Sequence, residues 1–139
     1  MKKLYETTII NTGGRSGEVS SPDNIFYYDI SAPTELGGDG GSGTNPEQLF
    51  AAGYSACFNS ALEVVMQRAQ IKTTSTVTGT VTLYGDPVDN GFKIGVILDV
   101  QIANVDHETA QALVAKAHDV CPYSKATRGN IDVTLNVVD

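Results

Sequence analysis

Apolar positions along the chain repeat with two different periods, and each period predicts its own kind of element. Leu49, Phe50, Ala52, Gly53, Ala56, Cys57, Ala61, Leu62, Val65 and Met66 recur three and four residues apart, the spacing of a helix face. Asn45 stands where it can cap that helix, Pro46 at its first position and Glu47 in its first turn, where a carboxylate suits the dipole. The predicted helix runs for about 25 residues and reaches water near Glu63, Gln67 and Arg68. Between Gln48 and Asn59 it carries no charge, so that half is expected to be buried nearly all round, inside sheet or subunit contacts.

Alternation with a period of two marks the strands. Val77, Val81 and Leu83 share one side of a threonine-rich strand, the turn DPVDNG follows, and Phe92, Ile94, Val96, Leu98, Val100 and Ile102 alternate as a half-buried antiparallel partner. Asp106 then caps an amphipathic helix with Ala110, Leu113, Val114 and Ala117 inward, which stops before Pro122. A short helical turn through Lys125 and a last strand with Ile131, Val133, Leu135 and Val137 close the chain. Upstream, Leu4 to Ile10, Glu18 to Ser20 and Ile25 to Ile30 read as strands around the turn TGGRSG, and the glycine-rich stretch from Ala32 to Thr44 reads as a loop. Strands followed by a helix, twice over, predict an α+β fold.

At 139 residues the chain has the size of one compact domain, and one domain over residues 1–139 is expected. A formal net charge of −7 offers no basic footprint for a phosphate backbone or an anionic membrane, so neither a nucleic-acid nor a membrane partner is expected. Glu6 and Asn11 interrupt the N-terminal residues, so the reading has no signal region and no membrane span, and it predicts a cytoplasmic protein. The loop GGDGGSG lacks a following GK[ST], which removes phosphate cradling.

The two cysteines change the picture, because a thiol pair in a reducing compartment is more often catalytic, redox-active or metal-binding than a staple. Cys57 lies mid-helix, where the plain reading is a small buried hydrophobe. Cys121 precedes Pro122 at a helix break, near the N-cap of the next turn, where a thiol is expected to be accessible and mobile. Together they resemble an attacking thiol and a resolving partner. His118 and Cys121 stand at i, i+3, but zinc needs more ligands than these and no CxxC exists, so no metal and no cofactor are expected. A Cys57–His118 hydrolase would give Cys121 no role.

An ordinary thiol of pKa about 8.5 is only roughly 3% ionised at pH 7, so an attacking cysteine needs a positive neighbour. The N-terminus of the predicted helix lies some three turns from Cys57, too far for its dipole to act. Arg15, inside the Gly-Gly-Arg-Ser-Gly turn, is the candidate cation, against the plain reading of a solvated turn arginine. Glu47 either orients Arg15 through a bidentate pair, or serves the helix N-terminus, or does both.

The segments TGGRSGEVSS (12–21), PTELGG through GTNPEQLFAAGYSACF (33–58) and VCPYSKATRGNIDVTLNV (120–137) resemble the organic hydroperoxide resistance proteins, a branch of the family that includes the osmotically induced protein C. The resemblance covers essentially the whole chain. It implies antiparallel sheets wrapped around long central helices in an intertwined homodimer, with two active sites at the subunit interface. It further implies a peroxidatic Cys57, a resolving Cys121, a thiolate-activating Arg15 and an orienting Glu47. The implied activity is reduction of alkyl and fatty-acid hydroperoxides to alcohols without an external cofactor, regenerated by dihydrolipoyl groups on lipoylated proteins. Asp39 and Lys125 depart from the family's usual residues but touch none of that chemistry. Alternatives are the osmotically induced branch of the same family and a non-enzymatic hydrophobic-ligand stress domain.

Two expectations follow from position. Glu47 and Cys57 stand about 15 Å apart along one straight helix, so Arg15 and Glu47 of one chain are expected to serve Cys57 of another. Leu49, Phe50, Tyr54 and Phe58 surround Cys57 in sequence and are expected to form apolar walls for a substrate with a carbon tail.

Overall fold

The computed structural model describes all residues, Met1–Asp139, as two compact units, Met1–Leu49 and Phe50–Asp139. In the first unit, β1 (Ile10–Thr12), β2 (Glu18–Ser20) and β3 (Tyr27–Asp29) form an antiparallel sheet in that order, with Asn11 opposite Val19 and Val19 opposite Tyr28. The strand expected over Leu4 to Ile10 begins only at Ile10. Leu4 and Tyr5 are exposed, and alternation without a buried face does not overcome the backbone's freedom. The glycine-rich segment is a loop closed at its base, where Ser31 N–H donates to the Thr44 carbonyl at 2.9 Å and Thr44 N–H to the Asp29 carbonyl at 2.8 Å. It contains one turn of 3₁₀ helix, Thr34–Leu36.

α1 (Pro46–Arg68) starts in the first unit and continues through the second. Its cap is as expected: Asn45 Oδ1 accepts the Gln48 N–H at 2.8 Å, and the Asn45 carbonyl accepts the Leu49 N–H at 3.0 Å. In the second unit, β4 (Ser75–Asp86) and β5 (Gly91–Ile102) form the long hairpin, with Val77 opposite Val100 and Val81 opposite Val96. α2 (His107–Val120), capped by Asp106 Oδ1 on the Thr109 N–H at 2.7 Å, and α3 (Pro122–Thr127) lead to β6 (Val133–Val138).

β6 lies parallel to β5, with Val96 opposite Val133 and Val100 opposite Val137. The sheet β4–β5–β6 is therefore mixed, which corrects the expectation of purely antiparallel sheets. The reason is the connection: a crossover through two helices brings the chain back to the end where β5 began, so β6 runs in the same direction.

Tyr54, Phe58, Ala61, Leu62, Val65 and Met66 of α1 form one core with Val96, Leu98, Val100 and Ile102 of β5 and Ala110, Leu113, Val114 and Ala117 of α2. The opposite stripe of α1, Ala52, Ala56 and Ser60, is exposed in this chain, so the uncharged half is not buried all round within it. α1 is also long and apolar enough, by length and composition, to cross a membrane. That corrects the expectation that no segment reaches this length, since small uncharged residues fill the gaps between its larger apolar ones. Its core face nonetheless has the packing of a helix inside a protein.

Candidate active site

α3 is six residues long and brings the second thiol to the first. The Cys121 N–H closes α2 on the Ala117 carbonyl at 2.9 Å, and the Cys121 side chain caps α3 by accepting the Ser124 N–H at 3.5 Å. Pro122 occupies the first position of α3. Cys121 Sγ lies 3.7 Å from Cys57 Sγ, across 64 residues of sequence, and both thiols are free.

Their accessibility is the reverse of the expectation. Cys121, at the break, is 0% exposed, whereas mid-helix Cys57 is partly exposed. Burial in the turn between α2 and α3 comes from its inward-facing positions, Cys121, Ser124 and Thr127, three residues apart. Burial pushes the Cys57 thiol above its ordinary pKa, the backbone N–H of Tyr123 draws it down, and the neighbouring Cys121 raises it again. The distance of Cys57 from the start of α1 therefore does not leave it without a backbone donor, because α3 supplies one.

The ion pair forms in the first unit. Arg15 sits on a single 3₁₀ turn, Gly14–Ser16, entered through Gly13 and Gly14, which hold φ of 84° and 60°. Asn11 ties this turn down: its side-chain amide donates to the Gly14 and Glu18 carbonyls at 3.2 and 2.9 Å and its oxygen accepts the Gly14 N–H at 3.2 Å. Arg15 Nη1 and Nη2 donate to Glu47 Oε2 and Oε1 at 2.8 and 2.6 Å, a bidentate pair. Hydrogen bonding to Arg15 holds the Glu47 carboxyl below the usual carboxylate range, and the same bonds raise the guanidinium pKa. Glu47 thus pairs with Arg15 while sitting in the first turn of α1.

Of the four residues expected to wall the substrate, Leu49 and Phe50 are half-buried, while Tyr54 and Phe58 are enclosed in the core and leave no free surface to a ligand. The apolar surface lies elsewhere. A groove of about 500 Å³ runs along α3, lined by Phe50, Ile94, Pro122, Tyr123, Ala126 and Ile131, with Thr127 and Asn130 contributing polar edges. The Tyr123 ring stands 5.9 Å from Phe50 and 5.6 Å from Tyr54 by centroids, joining the groove to the turn of α1 that precedes Cys57. Ile94 comes from β5 and Ile131 from the bend that precedes β6, which no local pattern connects. Tyr123 was readable as the neighbour of Cys121 in the CPYS run.

The sequence pattern of the OsmC-like protein family matches residues 38–136, a stretch that includes Glu47, Cys57 and Cys121. The chain belongs to the OsmC-like family. Organic hydroperoxide resistance protein-like 2 of Staphylococcus epidermidis is 53% identical over 135 residues, 96% of this chain and 95% of its own length. The crystal structure of the organic hydroperoxide resistance protein OhrB of Bacillus subtilis has a TM-score of 0.90 at 48% identity, covering 98% of this chain and 100% of that one. An organic hydroperoxide resistance protein of Legionella pneumophila has a TM-score of 0.94 at 49% identity, covering 99% and 100%. Within the OsmC-like family the chain therefore groups with the organic hydroperoxide resistance branch, whose α+β fold of two sheets and helices it shares.

Proposed function

We propose that this OsmC-like protein is a cysteine-based peroxidase that reduces organic hydroperoxides to alcohols in the cytoplasm. The observation that carries the reading is the thiol pair itself, with a partly exposed Cys57 and a fully buried Cys121 whose sulfurs lie 3.7 Å apart. An exposed sulfur meets the peroxide and a buried one meets only its neighbour, so Cys57 attacks and Cys121 resolves.

In the first step the Cys57 thiolate attacks the peroxide: an S–O bond forms, the O–O bond breaks, and the alkoxide leaves with a proton as alcohol. Cys57 is then a sulfenic acid. In the second step Cys121 Sγ attacks Cys57 Sγ, forming the disulfide and releasing water. A dithiol then reduces the disulfide in two exchanges, and a dihydrolipoyl group on a lipoylated protein is the proposed donor. The groove along α3 receives the carbon tail, each buried methylene contributing up to about 0.8 kcal/mol that hydrogen peroxide cannot supply.

The proposed assembly is a homodimer in which Arg15 and Glu47 of one subunit serve Cys57 of the other. α1 carries Glu47 and Cys57 ten residues apart, about 15 Å along its axis, and its exposed Ala52, Ala56 and Ser60 leave room for a close second copy. Single-dose oxidation tests the chemistry. Cys57→Ser is expected to consume no cumene hydroperoxide, whereas Cys121→Ser consumes about one equivalent per subunit and gains one oxygen, then a second in excess peroxide. A Cys57→Ser variant that kept its first turnover would reverse the two roles. A wild-type chain that bound hydroperoxide but never turned it over with dihydrolipoamide would make the protein a ligand-binding domain instead.

A further inference from the structure

A buried polar cluster joins α1 to α3, and none of the steps above uses it. Tyr54 is fully enclosed, yet its phenol oxygen lies 2.9 Å from Ser124 Oγ and 3.1 Å from Thr127 Oγ1. Thr127 Oγ1 donates to the Ser124 carbonyl at 3.2 Å. With that bond fixed, one assignment satisfies every hydroxyl proton: Ser124 donates to Tyr54, and Tyr54 donates to Thr127.

The placement of these three residues relates directly to the thiols. Ser124 and Thr127 follow Cys121 at three-residue spacing, and all three point inward while Pro122, Tyr123, Lys125 and Ala126 face out. Tyr54 precedes Cys57 by three residues and so shares its side of α1. A helix of six residues is too short to hold its own position by backbone bonds, so its side chains must locate it. Gly53 leaves room for the Tyr123 ring beside α1: a β-carbon there would stand 2.6 Å from the Tyr123 hydroxyl, so a larger residue would displace that ring.

We propose that Tyr54 is a positioning residue for the resolving cysteine. Through Ser124 and Thr127 it holds α3 so that Cys121 Sγ waits 3.7 Å from Cys57 Sγ. The sulfurs must close to about 2.05 Å to form the disulfide, in competition with a second peroxide that would carry Cys57 to the sulfinic acid. Anchoring α3 raises the effective concentration of Cys121 at Cys57 and decides that competition. This role rests on the reading of Cys57 and Cys121 as the reacting pair, and it leaves the first oxidation untouched.

Tyr54→Phe removes only the hydroxyl and keeps the ring beside Phe50 and Tyr123. With cumene hydroperoxide in a rapid-mixing experiment, oxidation of Cys57 is expected to stay within about twofold of wild type. Condensation with Cys121 is expected to slow about tenfold, and the sulfinic fraction after excess peroxide to rise accordingly. Thr127→Ser, which keeps a hydroxyl, should behave as wild type. Leu62→Ala, a core truncation on the same helix, should lower the melting temperature at least as much yet leave the ratio of the two rates unchanged.

A second readout needs no peroxide. In equilibrium with oxidised glutathione, which takes the two thiol protons and electrons as two reduced glutathiones while the disulfide forms, Tyr54→Phe should lower the effective concentration of the pair about tenfold. If the wild type failed to consume hydroperoxide, the peroxidase reading would fall while this equilibrium still decided the role of Tyr54. Wild-type condensation and a wild-type glutathione equilibrium in Tyr54→Phe would overturn the proposal. So would an equal change of both in Leu62→Ala, which would reduce the effect to general loosening of the core.

Discussion

Removing the Arg15 guanidinium should shift the pH at which Cys57 becomes reactive. Inside its own unit Cys57 is pushed up by burial and by Cys121, with only the Tyr123 N–H opposing them, so it lacks the cation an attacking thiolate needs at pH 7. In the proposed dimer, a unit charge brought to about 4 Å from the sulfur would be worth about 4 kcal/mol at an effective dielectric of about 20. Glu47 holds Arg15 through two hydrogen bonds at 2.8 and 2.6 Å, and its negative charge offsets part of that field. In the proposed dimer a net stabilisation of the thiolate of about 1.4–2.8 kcal/mol would remain. Arg15→Ala should therefore raise the Cys57 pKa and slow its reaction at pH 7 by about 10- to 100-fold. The thiolate is the charged form, so loss of a cation raises the pKa and the deficit must shrink as pH rises past the new value. The assay is the rate of iodoacetamide labelling from pH 5 to 10 in a Cys121→Ser background, where Cys57 is the single thiol. An unchanged pKa, or a deficit of the same size at every pH, would refute the electrostatic role.

Mixing Arg15→Ala dimers with Cys57→Ser dimers should restore about one active site per heterodimer after subunit exchange, and no recovery would mean that each chain serves its own thiol. Glu47 has a folded pKa held below its unfolded value of about 4.3, so its pairing stabilises the fold above that pH and is lost as pH falls through the depressed value. Thermal melts from pH 6 to 3 should show wild type losing about 1 kcal/mol more than Glu47→Gln, the modest size reflecting a partly exposed Arg15; parallel curves would contradict the linkage. Ala126→Asp places a charge in the groove on α3 and should raise the KM for cumene hydroperoxide about tenfold while changing the rate with hydrogen peroxide less than twofold; equal effects on both would remove the groove from substrate binding.

Much of this fold is legible because local chemistry and burial agree. The Asn45, Pro46 and Glu47 cap and the three- and four-residue spacing define α1 within a few residues, and strict alternation on either side of DPVDNG defines the β4–β5 hairpin. Alternation specifies a face and not a direction, so nothing in Val133, Leu135 and Val137 announces that β6 runs parallel to β5. Arg15 and Glu47 were readable as residue types suited to a thiolate site, but their bidentate contact across 32 residues depends on how the Asn11-anchored turn is aimed.

The least legible part is the turn at Cys121, because a helix break in a sequence suggests exposure, whereas here the cysteine at the break is fully buried. Pro122 ends α2 and opens α3 in one step, and it has no N–H to offer. The first backbone donors of α3 therefore belong to Tyr123 and Ser124: the Ser124 N–H is bonded to Cys121 Sγ, and the Tyr123 N–H favours the Cys57 thiolate. Any residue other than proline at 122 would add a third donor at the same end and leave α2 free to continue. The covalent constraint of one ring thus sets which thiol each amide meets, and the three-residue spacing of Cys121, Ser124 and Thr127 turns that constraint toward Tyr54 and the core.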